Sequence, residues 1–227
     1  MERYLTFSAA KEKVLIGFLV LGAVYSAILV IKGSADIQFV RFQGDIFYPW
    51  IIAIPQLGLV AFVVCLAGVR DSCSALRFVN LVNVQAMVII PIVVCFNLVF
   101  VVFYTTVILA LDVSFLIPPE IPKSVLGNGW LVIVNLIVIG LLVPFAEELF
   151  FRGFLMISVA GYFGLYKSLI LTSILFACLH GHVGLVIPVL FSSITVSVVF
   201  IYFRSLWASI AVHCMQNILV SIVAASA

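Results

Sequence analysis

Long apolar runs broken by short polar stretches organise this chain. A spanning helix needs about 20 mostly apolar residues, and that rule predicts spans at Val14–Ile31, Pro49–Val69, Val88–Leu111, Trp130–Ala160, Lys167–His180, Gly184–Phe203 and Leu206–Ala224. The polar breaks between them are Lys32–Asp45, Arg70–Asn83, Asp112–Gly129, Gly161–Tyr166, Gly181–Gly184 and Arg204–Ser205. The third break carries Pro118, Pro119 and Pro122 and cannot be helical throughout, because proline lacks the N–H a helix interior needs. The break Lys32–Asp45 has the length and polarity of a short interfacial segment. The expectation is an all-α, polytopic transmembrane helical bundle of about 7–8 spans. It forms a single integral membrane domain over 1–227, with N-terminal spans of unassigned role in 1–129 and a core in 130–224.

Composition sharpens the compartment. The 227 residues are 66% hydrophobic and 9% charged, with mean hydropathy +1.39, whereas soluble domains run at about 25% charged residues. The net charge of +2 and the lack of a basic tail give no footing for a nucleic-acid partner. Val14–Ile31 follows Lys11 and Lys13 as a signal peptide would, but it is longer than the usual apolar region and lacks a small-residue cleavage site. It reads as a retained span. With seven spans and the N-terminus inside, Arg3, Lys11, Lys13, Arg70, Arg77, Lys167 and Arg204 face inward, and Lys32, Arg41 and Lys123 outward. The positive-inside rule therefore favours that orientation. Splitting either long segment would reverse everything downstream. Cys65, Cys73, Cys95, Cys178 and Cys214 have neither metal nor disulfide spacing and read as packing residues.

Against this background, Pro144-Phe-Ala-Glu-Glu-Leu-Phe-Phe-Arg-Gly-Phe154 is anomalous. A charge at mid-bilayer costs on the order of 2.5–3.5 kcal/mol even on the lenient insertion scale. Such residues pair with one another or line a wet cavity. Glu148 and Arg152 are four apart, acid before base, and so share a helix face as an ion pair. Glu147, rotated by about 100°, faces elsewhere and takes a different role. His213 and Asn217 are also four apart and share a face. Counting along the helices from one membrane face puts Glu147 and His180 at roughly 20 Å, Asn217 at roughly 18 Å and His213 at roughly 12 Å. Three elements distant in sequence thus bring polar groups to one stratum. A carboxylate shielded from bulk water serves as a general base, and an imidazole beside it can share the proton and orient the water. A second imidazole with a carboxamide can donate to an oxyanion. Together these groups suit amide hydrolysis. Pro144 loosens the helix just ahead of the glutamates, since it removes the hydrogen bond to Gly140.

These motifs carry a resemblance. Glu147-Glu148-Leu-Phe-Phe-Arg152 resembles the EExxxR motif of the CPBP family, the CaaX proteases and bacteriocin-processing (Abi) enzymes. Phe176-Ala-Cys-Leu-His180 is similar to its FxxxH motif, and His213-Cys-Met-Gln-Asn217 to its HxxxN motif. The resemblance covers about residues 130–224. It implies an intramembrane glutamic-type endopeptidase without a cofactor or bound metal. In that reading Glu147 and His180 activate water, His213 and Asn217 stabilise the oxyanion, and Glu148 and Arg152 support the site. It also implies a membrane-associated protein or peptide substrate, cleaved near its C-terminus. The chain's scale suggests a bacterial or archaeal inner membrane, where a prenylated substrate is the weaker expectation.

Plainer readings stand beside each residue. Glu147 could be a carboxylate paired within the bundle, and the ion pair alone could explain Glu148 and Arg152. His180 could cap its helix ahead of Gly181, and His213 and Asn217 could simply bond across helices. His182 reads as interfacial, Phe150 and Phe151 as packing, and Trp207 as an interface anchor. One glutamate and two histidines could hold zinc, but there is no HExxH and Glu148 alone could serve as outer-shell carboxylate. A non-proteolytic immunity or scaffold protein of the same fold is a further alternative. So is a proton-coupled transporter, though the paired repeats of transporters are missing from the sequence.

Overall fold

The structure is a computed structural model that describes residues 38–67, 84–119 and 127–226. Among the described residues it is all-helical: α1 Gln38–Ala67, α2 Val84–Ala110, a 3₁₀ turn Ser114–Leu116, α3 Trp130–Phe163, α4 Leu165–Cys178, α5 Val183–Phe203 and α6 Leu206–Ser226. Four helices are long and apolar enough to cross a membrane, namely α2, α3, α5 and α6, while α1 and α4 contribute the shorter apolar stretches Ile52–Cys65 and Leu165–Cys178. The expected count of seven to eight spans is therefore met only as far as four. The expected span Val14–Ile31 lies outside the described residues. Two boundaries move appreciably. Helix α1 is already formed at Gln38, the first residue described there, inside the predicted polar break, because charged and polar residues end an apolar run without ending a helix. Helix α3 continues to Phe163 rather than Ala160.

Helix α3 is the axis of the bundle. Its residues Leu149 to Ala160 are all buried, and Phe150, Phe154 and Leu155 pack with Leu59 and Val63 of α1, Leu169 and Phe176 of α4, Phe200 of α5, and Leu206 and Ile210 of α6. A second core joins α2 (Ala86, Ile90, Val94) to α5 (Val196, Val199) and α6 (Ala208, Val212). The outer faces carry exposed large apolar side chains, such as Ile92, Phe96, Val99 and Phe103 of α2. That is the surface expected of a helix whose solvent on that side is hydrocarbon.

Helix α3 is not uniformly α-helical. Val138–Leu142 and Leu149–Met156 are wound in the wider i→i+5 register, on either side of Val143–Glu148. Pro144 explains the first. It has no N–H to return to Gly140, so the α register cannot run through it, and Val143 bonds back to Val138 instead. The glutamates thus sit on a short α-helical step between two wide turns, a type of irregularity frequent at functional sites. Gly140 lets α6 close onto this region, since a Cβ there would lie 2.6 Å from Ile218 Cγ1.

Candidate active site

The centre of the site is the imidazole of His213. Its Nδ1 lies 2.9 Å from Glu148 Oε1, and its Nε2 lies 3.8 Å from Glu147 Oε2. The same Glu148 oxygen takes Nη1 of Arg152 at 2.7 Å. A carboxylate facing a guanidinium is an acceptor, so the ring donates from Nδ1, and the Nε2 side is turned toward Glu147. The two adjacent glutamates are distinguished by burial. Glu148 is fully buried, while the side chain of Glu147 keeps 18% of its surface. The step of about 100° between neighbouring helix positions separates them in this way.

Arg152 is enclosed, with 2% of its side chain exposed. Besides Glu148 it donates from Nη2 to the carbonyl and hydroxyl oxygens of Ser193, at 3.0 and 2.8 Å, and from Nε to Ser197 Oγ at 3.2 Å. A buried charge is tolerated only when its remaining donors are met, and two serines one turn apart on α5 do this. Its guanidinium carbon also sits 4.9 Å from the ring centroid of Phe176. Sequence reasoning passed over Ser193 and Ser197. Their spacing of four in an apolar run was the available signal.

Phe176 is a second point that residue types alone did not reveal. Its ring meets His180 at 4.9 Å, His213 at 5.9 Å and Phe151 at 4.8 Å, each edge-to-face. One aromatic side chain therefore gauges the separation of both imidazoles and the arginine. His180 lies just beyond the end of α4, exposed, and its Nδ1 is 2.9 Å from the carbonyl of Phe176. A carbonyl only accepts, so Nδ1 carries the proton and Nε2 is the accepting nitrogen. His180 thus caps α4 through one nitrogen and leaves the other for chemistry. Electrostatic interaction links Glu147 to both His213 and His180.

Asn217 donates from Nδ2 to the carbonyl of Ile139 at 3.1 Å, in the first wide turn of α3. This places it as a tie between α3 and α6, with the second amide N–H left over. His182 caps α5, its Nδ1 accepting from the N–H of Gly184 at 3.1 Å, in keeping with a role away from the chemistry. Phe150 and Phe151 are buried in the core. Cys178 is exposed, and Cys214 lies between buried and exposed. Among the described residues, no three histidine, cysteine, aspartate or glutamate side chains are arranged to hold a metal ion.

Residues 129–219 match the family model described as Type II CAAX prenyl endopeptidase Rce1-like. The match contains all three motifs and bears out the family resemblance read from them. Neither a curated protein nor a solved structure matches the chain.

Proposed function

Proceeding from a CAAX-protease-type segment over residues 129–219 in an integral membrane protein, we propose that the chain is an intramembrane endopeptidase. It hydrolyses a peptide bond near the carboxyl end of a membrane-associated protein or peptide. Glu147 accepts a proton from water as the water oxygen attacks the scissile carbonyl, and the accepting Nε2 of His180 orients that water. The carbonyl oxygen becomes an oxyanion, met by the remaining N–H of Asn217 and by His213 as the doubly protonated imidazolium, whose Nδ1 proton Glu148 holds and whose Nε2 proton donates. The C–N bond breaks as the proton held at Glu147 passes to the departing amine. Glu148 and Arg152 hold His213 in place and stay out of the proton transfers. We read α1 and α4 as the remaining membrane segments, the N-terminus as cytoplasmic, and the host membrane as a bacterial or archaeal inner membrane.

One observation carries this reading. The two neighbouring carboxylates occupy the two nitrogens of one imidazole at different distances, 2.9 and 3.8 Å. Glu148 makes a closed contact. Glu147 stands off by more than a hydrogen bond, so its carboxylate is not committed to that ring. The test compares membrane-protein C-termini in cells carrying wild-type or Glu147→Gln protein. Shortened C-termini present only with wild type support the proposal, and identical termini sink it. Full complementation by Glu147→Gln would instead favour the scaffold alternative. Loss of cleavage on chelation, with recovery on adding zinc, would move the chemistry to the metal alternative.

A further inference from the structure

Four polar side chains meet inside the bundle away from the glutamates, where α2, α5 and α6 come together. Asn97 is 1% exposed. Its Oδ1 accepts from Thr195 Oγ1 at 2.8 Å, and its Nδ2 donates to Gln216 Oε1 at 3.2 Å, with Ser192 Oγ at 3.5 Å on the margin of a bond. Ser192 donates to the same Gln216 oxygen at 3.0 Å. Gln216 therefore takes two donors on one oxygen, one from α2 and one from α5. The α2–α5 side of this junction is itself fixed: one turn from Asn97, the rings of Phe100 and Phe191 stack at 3.7 Å.

Gln216 lies three residues after His213 and directly before Asn217. It is turned about 60° around α6 from His213. Within five residues α6 is thus tied twice to α3, through His213 to Glu148 and Asn217 to Ile139, and once, on another face, to the α2–α5 pair. Apolar packing of Ala208 and Val212 against α2 and α5 limits how far α6 can roll but carries little directional preference. The Gln216 tie adds a directional constraint one turn from His213. Hydrogen bonds between membrane helices contribute modestly to stability, because the separated helices find other partners, so angular control is the larger effect of this one.

We infer that Asn97, acting through Gln216, is a positioning residue that sets the rotation of α6 and so the placement of His213 against Glu147 and Glu148. Asn97 lies outside the segment 129–219 that matches the family model. The N-terminal helices consequently contribute to the site's geometry without contributing a reacting group. The inference rests on the hydrolytic reading for its activity arm only.

The chain contains three histidines, His180, His182 and His213, so ring ¹⁵N spectra of histidine-labelled protein in nanodiscs can be assigned by single His→Gln variants. In Asn97→Leu the His213 ring signals move or broaden, while those of His180 and His182 keep their positions. In a cleavage assay kcat falls by about 10- to 100-fold with KM unchanged, the scale expected of a misplaced reacting group. Should Asn97→Leu fail to accumulate, Asn97→Leu/Gln216→Leu carries the same measurements, since it removes both carboxamides together and leaves only the hydroxyls of Ser192 and Thr195, of which Thr195 already bonds back to its own helix. Unchanged His213 signals overturn the inference whatever the activity does, and so does an unchanged kcat. If wild type and Glu147→Gln cleave alike, the hydrolytic reading fails, and the histidine spectra still decide the placement of α6.

Discussion

Asn217 supplies to Ile139 the hydrogen bond that Pro144 withholds. In the wide register of Val138–Leu142, Val143 bonds to Val138, and the next such bond would run from residue 144 to the carbonyl of Ile139. Residue 144 is a proline and has no N–H. The carboxamide of Asn217, 3.1 Å away on α6, fills that place. The wide turn ahead of the glutamates and the polar residue at the end of the HxxxN motif are thus two halves of one arrangement.

A double-mutant cycle tests this. Asn217→Ala leaves the carbonyl of Ile139 without its side-chain donor, at a cost of about 1–3 kcal/mol. In a Pro144→Ala background the backbone can supply the N–H, and the same Asn217→Ala substitution becomes nearly neutral. Thermal unfolding of the four proteins in one detergent gives the coupling directly. Equal costs in the two backgrounds would show that Asn217 does not compensate for the proline.

Arg152→Ala removes the only full positive charge held against the fully buried Glu148, leaving it the His213 ring at Oε1. Removing one partner of a buried ion pair costs about 3–5 kcal/mol, because the other charge is left uncompensated. The variant should accumulate poorly in the membrane. Adding Glu148→Gln should recover much of the yield, since it removes the orphaned charge. Wild-type accumulation of Arg152→Ala by quantitative immunoblot would refute the structural role of the pair.

How far the sequence disclosed this arrangement varies with the length scale. The Glu148–Arg152 pair was legible because four-residue spacing is a local helical property, and both residues lie near enough to an α-helical step for it to hold. The approach of α6 to α3 was legible to within about one turn, because rise per residue fixes depth: the count set Asn217 level with Glu147, whereas His213 meets the glutamates and Asn217 the carbonyl of Ile139. Azimuth was not legible, since two wide turns in α3 shift the angular register that a period of 3.6 assumes. That is why the bond from Asn217 to Ile139 could not be foreseen. Phe176 entered only as the first position of the FxxxH motif and the Ser193–Ser197 pair did not enter at all, for a different reason. Their importance comes from what faces them on other helices, and an apolar ring or a serine in a span carries no mark of that.

Phe176 therefore offers a discriminating substitution. Phe176→Ala opens a cavity in the core and should destabilise by about 3–5 kcal/mol. Phe176→Leu keeps most of the volume but loses the edge-to-face contacts with His180 and His213 and the face over Arg152. It should fold and accumulate, yet cleave with kcat lowered by about tenfold or more, as misaligned groups do. A leucine variant as active as wild type would mean that volume, not ring geometry, sets the histidines.

In the proposed reaction the two histidines flanking Gly181 have different roles, although both cap a helix end. Both bond to backbone through Nδ1, His180 to the carbonyl of Phe176 and His182 to the N–H of Gly184. The acceptor of one and the donor of the other leave opposite protonation at Nε2. His180 keeps its lone pair there, whereas His182 carries its proton there and caps the following helix, α5. His180→Ala should lower cleavage by about 10²–10⁴-fold, the usual contribution of a positioned acid–base group, while the protein still accumulates. His182→Ala should cleave near the wild-type rate and lose about 1 kcal/mol of stability through the missing α5 cap. Measuring rate and unfolding temperature for both variants crosses the two effects. If His182→Ala lost activity as His180→Ala does, the assignment of chemistry to one side of this turn would be wrong.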